Sequence, residues 1–81
     1  MKKRNIATEI GFIIRQVRIE KGLSQEDLSF KCDLHRTYIG SIERAEKVAS
    51  IITLEKVAEA LDISLSEIFK KYEQTKTERD K

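Results

Sequence analysis

Apolar residues along this chain recur with the spacing of helices, and no segment alternates in the manner of a strand. Ile6, Ile10, Ile13 or Ile14, and Val17 fall three or four positions apart, which predicts a first helix from about Ala7 to Lys21. "EKGLS" closes it, with Gly22 free to take the left-handed conformation of a helix end and Leu23 to fold back apolar. "SQEDL" opens a second helix of about eight residues. Ser24 is its N-cap, Asp27 a shorter version of the capping-box acid, and Leu28 and Cys32 its buried side. Asp33 tolerates a left-handed turn better than most residues, and Leu34 can plug the corner, so a third helix begins at His35 or Arg36. Two short helices three residues apart make a helix-turn-helix.

Leu54, Val57, Ala58 and Leu61 mark a fourth helix, with Thr53 as its cap. Ser64 and Glu67 form a capping box for a fifth, in which Leu65, Ile68, Phe69 and Tyr72 repeat the spacing. Beyond Tyr72, "EQTKTERDK" is polar throughout, so residues 1–72 are expected to fold and 73–81 to form a polar, disordered tail. The chain has no proline, repeat or Gly/Ser linker. The fold class is therefore all-α, with five helices in one domain.

The third helix, in "LHRTYIGSIER", has little to bury. On a helical wheel Ile39 and Ile42 share one edge, while Arg36, Gly40, Arg44, Thr37 and Ser41 occupy a contiguous arc of about 140°. Two arginines, two hydroxyls and a glycine add little to a core and suit water or a partner. Gly40, in a helix interior, costs roughly 1 kcal/mol relative to alanine, so a glycine accepted on this arc points to close approach by something else.

The net charge of +2 says less than its distribution. Residues 1–22 carry six Lys or Arg against Glu9 and Glu20, a balance of +4, whereas 23–50 and 51–81 each balance at −1. That pattern permits polyanion binding and equally describes a solvated helix face. A single cysteine, Cys32, excludes an internal disulfide framework and suits a reducing cytoplasm. No apolar run is long enough to span a bilayer, and "MKKRNIATEIGFII" lacks the features of an export signal, so a cytoplasmic chain with no membrane association is expected.

Enzyme chemistry finds little to work with. His35 and Cys32 are three residues apart, but Cys32 belongs to the expected core, which argues against a nucleophile pair. One turn holding His35, Cys32 and Asp33 supplies too few ligands for a metal, and three scattered glycines make no phosphate loop. Glu26 and Asp27 sit in a first helical turn, where the macrodipole favours negative charge. No enzyme, cofactor, metal or small-molecule ligand is expected.

The constellation "GLSQEDLSFKCDLHRTYIGSIER", with Ile10, Gly11, Ile14 and Arg18 before it, resembles the lambda-repressor-like, or XRE, family of helix-turn-helix DNA-binding domains. The resemblance runs through Phe69. Within that family "RTYIGSIER" is most similar to the controller proteins of bacterial restriction-modification systems, small dimeric transcription regulators. A phage-type repressor is the neighbouring reading, and an antitoxin-like protein-interaction module the reading of a different class.

The resemblance implies roles for individual residues. Arg36 and Thr37 open the recognition helix, the end that enters the major groove, where an arginine pairs with guanine and a threonine meets a base edge. Ser41 and Arg44 extend the set of base contacts, although Arg44 also suits the helix dipole. Gln25 would meet a backbone phosphate, and His35, Tyr38, Lys47 and Ser50 are further phosphate candidates. For His35 the alternative is a helix cap; for Tyr38 it is core packing. Arg18 and Glu43 match an ion pair that orients the recognition helix. Ile51, Ile52, Ile63 and Phe69 either fill the monomer core or form a homodimer interface that presents two recognition helices about 34 Å apart to double-stranded DNA. The family often places glycine where this chain has Asp33 and Ala45. Ala45 adopts a left-handed turn less easily, which puts the loop "AEKVAS" in question.

Overall fold

The computed structural model describes the backbone of residues 5–79 and the side chains of residues 5–76. Five helices follow one another: α1 (Ile6–Glu20), α2 (Gln25–Cys32), α3 (Arg36–Glu43), α4 (Ile51–Ala60) and α5 (Leu65–Arg79). Each begins where a short polar side chain takes up an otherwise unpaired backbone N–H. Asn5 Oδ1 accepts from Thr8 N at 3.0 Å, and Ser24 and Asp27 close a reciprocal capping box at 2.9 Å in both directions. Ser64 and Glu67 do the same for α5. Asp27's carboxyl is held below its ordinary pKa by the hydrogen bonds from the Ser24 backbone and side chain. The cap of α4 is Ser50, whose Oγ accepts from Thr53 N at 3.0 Å. The expectation of Thr53 as cap is corrected by three residues, because the helix starts at the exposed Ile51, outside the apolar stripe that marked it.

Four helices end in the same way. Gly22, Asp33, Ala45 and Asp62 have φ of 74°, 57°, 61° and 59°, and the residue after each donates back to the last turn: Leu23 N to Arg18 O, Leu34 N to Ser29 O, Glu46 N to Ser41 O and Ile63 N to Ala58 O. Ala45 therefore does adopt the left-handed turn. Two backbone bonds hold it there, Ala45 N to Ile42 O at 3.0 Å and Glu46 N to Ser41 O at 2.8 Å, against a conformational cost of about 1 to 2 kcal/mol for a residue with a Cβ. Ala45→Gly should relieve that cost and stabilise the domain by about 1 kcal/mol, raising the thermal midpoint by several degrees in circular dichroism. An unchanged or lower midpoint would contradict the strain.

Burial follows the helical stripes. Ile14, Leu28, Ile39, Val57, Leu61 and Ile68 are the most deeply buried apolar side chains, and Ile10, Ile13, Val17, Cys32, Ile42, Leu54 and Ala58 surround them. α1 packs on α3 and α5, α2 on α3 and α4, and α4 on α5. Burial pushes the Cys32 thiol above its ordinary pKa, which removes it further from nucleophilic chemistry. The end of α5 departs from expectation: the boundary placed after Tyr72 falls inside a helix that is continuous to Arg79. Lys71, Gln74 and Thr75 lie beside Phe12, Gln16 and Glu20 of α1, and Thr75 Oγ1 donates to Lys71 O at 3.0 Å. Of the residues expected in the tail, Asp80 and Lys81 lie outside the described residues, as do Met1–Arg4 of the basic first segment.

Candidate nucleic-acid interface

α2 and α3 meet across the three residues 33–35, and the geometry between them is fixed by one buried polar cluster. Arg18 of α1 donates from Nε to Glu43 Oε2 at 2.7 Å and from Nη2 to Glu43 Oε1 at 3.1 Å, while its Nη1 reaches the Leu23 carbonyl at 2.8 Å. Gln25, the first residue of α2, donates from Nε2 to Glu43 Oε1 at 3.1 Å. The carboxylate at the end of α3 is thus held from α1 and from the start of α2 at once. Arg18 and Glu43 are 8% and 9% exposed, so these are charge-assisted bonds with little competing water. The Arg18–Glu43 ion pair expected from the sequence is present, and Gln25 joins it.

Close backbone contact sets the same crossing. A Cβ built on Gly11 would lie 2.4 Å from the Ile42 carbonyl oxygen and 2.9 Å from that of Glu43. Only glycine lets α1 run this near the end of α3. Sequence reading noticed Gly11 only as part of a family pattern; nothing local marks it, since its contacts are with Ile42 and Glu43, two helices further along the chain.

The outward side of α3 carries Arg36 and Thr37, both exposed, at its N-terminal end. Among the described residues Arg36 has no ion-pair partner. His35 caps the helix: its Nδ1 accepts from Thr37 N at 3.1 Å, so a neutral ring carries its proton on Nε2 and can donate it outward. Tyr38 is half-buried against the core. Ser41 Oγ donates to Thr37 O at 3.0 Å. Arg44 lies folded along the helix, paired with Glu46 at 2.9 Å (Nε to Oε2) and 3.1 Å (Nη2 to Oε1). That pair raises the Arg44 pKa and lowers that of Glu46.

Gly40 is not the bare position that its wheel angle suggested. It is buried beneath Arg44 and Gln25: a Cβ there would meet Arg44 Nη1 at 3.0 Å and Gln25 Oε1 at 3.4 Å. Gln25, Arg36, Thr37, Gly40 and Arg44 border one shallow depression. Lys47 and Ser50 lie elsewhere. Lys47 borders an apolar groove with Val48, and the Ser50 hydroxyl is engaged with Thr53.

That groove, of about 300 Å³, is lined by Ile6, Ile10, Val48, Ile51, Leu54 and Phe69 among others. Ile51 and Ile52 are 60% and 68% exposed, so neither fills the monomer core. Ile63 and Phe69 are partly buried. Of the four candidate interface residues, the groove brings together Ile51 and Phe69. It adds Ile6 and Val48, 51% and 78% exposed, which sequence reading missed; the signal for Val48 was a lone aliphatic residue in a polar loop.

Two short helices joined by a tight turn, the second fixed on its inner side and presenting a polar face outward, define a helix-turn-helix DNA-binding protein. The family model described as Helix-turn-helix matches residues 14–68. Control protein C.BamHI of Bacillus amyloliquefaciens is 47% identical over 60 residues, spanning 73% of this chain and 74% of that protein. The restriction-modification controller protein C.AhdI from Aeromonas hydrophila has a related structure, with a TM-score of 0.75 at 40% identity over 76% of this chain and 94% of that one. The C.Esp1396I controller tetramer, solved in complex with its natural 35 base-pair operator, matches with a TM-score of 0.78 at 37% identity over 84% and 90% of the two chains. The chain belongs to the lambda-repressor-like helix-turn-helix family, among its restriction-modification controller proteins. Among the described residues, no helix is long and apolar enough to cross a membrane and no side-chain group is arranged to hold a metal.

Proposed function

We propose that this protein acts in the cytoplasm as a homodimer that binds pseudo-palindromic operator DNA upstream of its own gene and controls a restriction-modification operon. The observation that carries this reading is the asymmetry of α3. Its inner side is fixed through Glu43 to α1 and α2, while Arg36 and Thr37 stand exposed at the end that would enter a major groove. Arg36, Thr37, Ser41 and Arg44 read base edges. Gln25, with a second amide hydrogen beyond the one given to Glu43, holds a backbone phosphate, and His35 Nε2–H, Tyr38, Lys47 and Ser50 meet other phosphates along the duplex. The exposed Ile51 and Ile52, with Phe69 beside Ile51 in the groove and the partly buried Ile63, supply apolar area for the two-fold contact.

A mobility-shift titration with DNA from upstream of the gene tests this directly. Retardation at submicromolar dimer in moderate salt is expected, and none at micromolar dimer would sink the reading. Arg36→Ala should lose about 1 to 3 kcal/mol on the operator and little on random DNA, whereas Gln25→Ala should weaken binding to both. Equal losses for both variants on both DNAs would contradict the division of roles.

A further inference from the structure

Arg44 and Arg36 share a depression at the surface of α3, yet their states differ. Arg36 is open to solvent with no carboxylate partner among the described residues, while Arg44 is held by both oxygens of Glu46. The hold is a product of the local backbone. Ala45 in its left-handed turn reverses the chain, Glu46 N returns to Ser41 O at 2.8 Å, and the Glu46 side chain comes alongside the guanidinium two residues earlier. Gly40 completes the seat. Lacking a Cβ, it leaves room for Nη1 to lie over the helix backbone, where a methyl group would be only 3.0 Å away.

We propose that Glu46 is a latch on Arg44 that limits the DNA affinity of the protein: the guanidinium reaches DNA only after leaving the Glu46 carboxylate. This rests on the DNA-binding reading above. The two side chains are 56% and 59% exposed, so the pair is weak enough to open on a competing polyanion and strong enough to be felt. Glu43 adds a smaller electrostatic pull on Arg44, but its hydrogen bonds go to Arg18 and Gln25. The free protein therefore presents one arginine ready and one held in reserve. Engagement of the second costs the latch, and the operator concentration response is set accordingly. Because Glu46 acts through another side chain, it is a positioning residue.

The test is a double-mutant cycle read by fluorescence anisotropy on operator DNA, with Glu46→Gln introduced in the parent chain and in an Arg44→Ala chain. Arg44→Ala alone should weaken operator binding. Glu46→Gln should tighten binding about 3- to 10-fold where Arg44 is present, from the released pair and the removed negative charge near phosphate. In the Arg44→Ala chain the same change should tighten it by no more than about twofold, the residue of simple charge repulsion. Equal tightening in both backgrounds would mean that Glu46 repels DNA on its own account, and no tightening that it does nothing; either overturns the latch, as does an Arg44→Ala chain with undiminished affinity. Failure of the parent protein to bind the operator would be a separate result and would overturn the DNA-binding reading itself.

Discussion

Glu43→Ala should destabilise the domain by about 3 to 5 kcal/mol, a large part of the roughly 5 to 15 kcal/mol that holds a small domain together. The size comes from what is left behind. Arg18 is 8% exposed and would keep only the Leu23 carbonyl as an acceptor, so a buried guanidinium would lose both of its charge-assisted bonds to carboxylate oxygens. The Gln25 amide would lose its partner as well. Urea unfolding followed by circular dichroism checks this, and a shift equivalent to less than about 1 kcal/mol would show that the pair is solvated or dispensable. A companion variant separates stability from orientation. Arg18→Met with Glu43→Leu replaces the pair by apolar side chains, which in buried sites is often neutral or stabilising. That double variant should recover most of the lost stability. Its operator binding should nevertheless be weaker than the parent's, since no hydrogen bond then ties the end of α3 to the start of α2. Full recovery of both would show that packing alone sets the angle between the two helices.

The parts of this architecture legible in the sequence are those encoded within a few residues. Apolar spacing located α1, α4 and α5, because an amphipathic helix carries its buried side in its own sequence, and cap and turn residues located α2 and α3. Ser24 with Asp27 and Ser64 with Glu67 are local signals and form the caps expected of them. Gly22 and Asp33 likewise take the left-handed turns their chemistry favours. Departures occurred where something outside the local pattern decides. Arg44 is exposed on the arc as expected, but it is paired with Glu46 by way of a turn at Ala45 that propensity disfavours and two backbone bonds enforce. The polar end of α5 reads as a tail by composition and is helical beside α1. Glu9 counted only as a charge, but it is 1% exposed. Ile51 showed that an apolar residue inside a helical segment need not belong to its core. Its neighbours across the groove, Ile6 and Val48, come from the two sides of the helix-turn-helix and share no sequence pattern.

Gly11→Ala is the sharper test of how far structure overrules local preference. Helix propensity alone predicts stabilisation of about 1 kcal/mol, because Gly11 sits in the interior of α1. The packing predicts the reverse. A new methyl would lie 2.4 Å from Ile42 O and 2.9 Å from Glu43 O, and both are backbone atoms with no side-chain torsion to turn away. α1 and α3 would have to separate by several tenths of an ångström at least, thinning the contacts of Ile10, Ile14, Ile39 and Ile42 and stretching the Arg18–Glu43 bonds at the same crossing. Overpacking of this kind costs about 1 to 3 kcal/mol and more where backbone must move, so a net loss of about 2 to 3 kcal/mol is expected in urea unfolding. Gly22→Ala supplies the contrast. Its φ is +74° and no atom lies within 4 Å of an added Cβ, so only backbone strain of about 1 to 2 kcal/mol applies, with no displacement of α1 from α3. Gly11→Ala should therefore weaken operator binding beyond its effect on stability, measured at a temperature where the variant is fully folded, whereas Gly22→Ala should leave binding unchanged there. A Gly11→Ala protein more stable than the parent would mean that the close approach of α1 to the end of α3 does not set the position of the recognition helix.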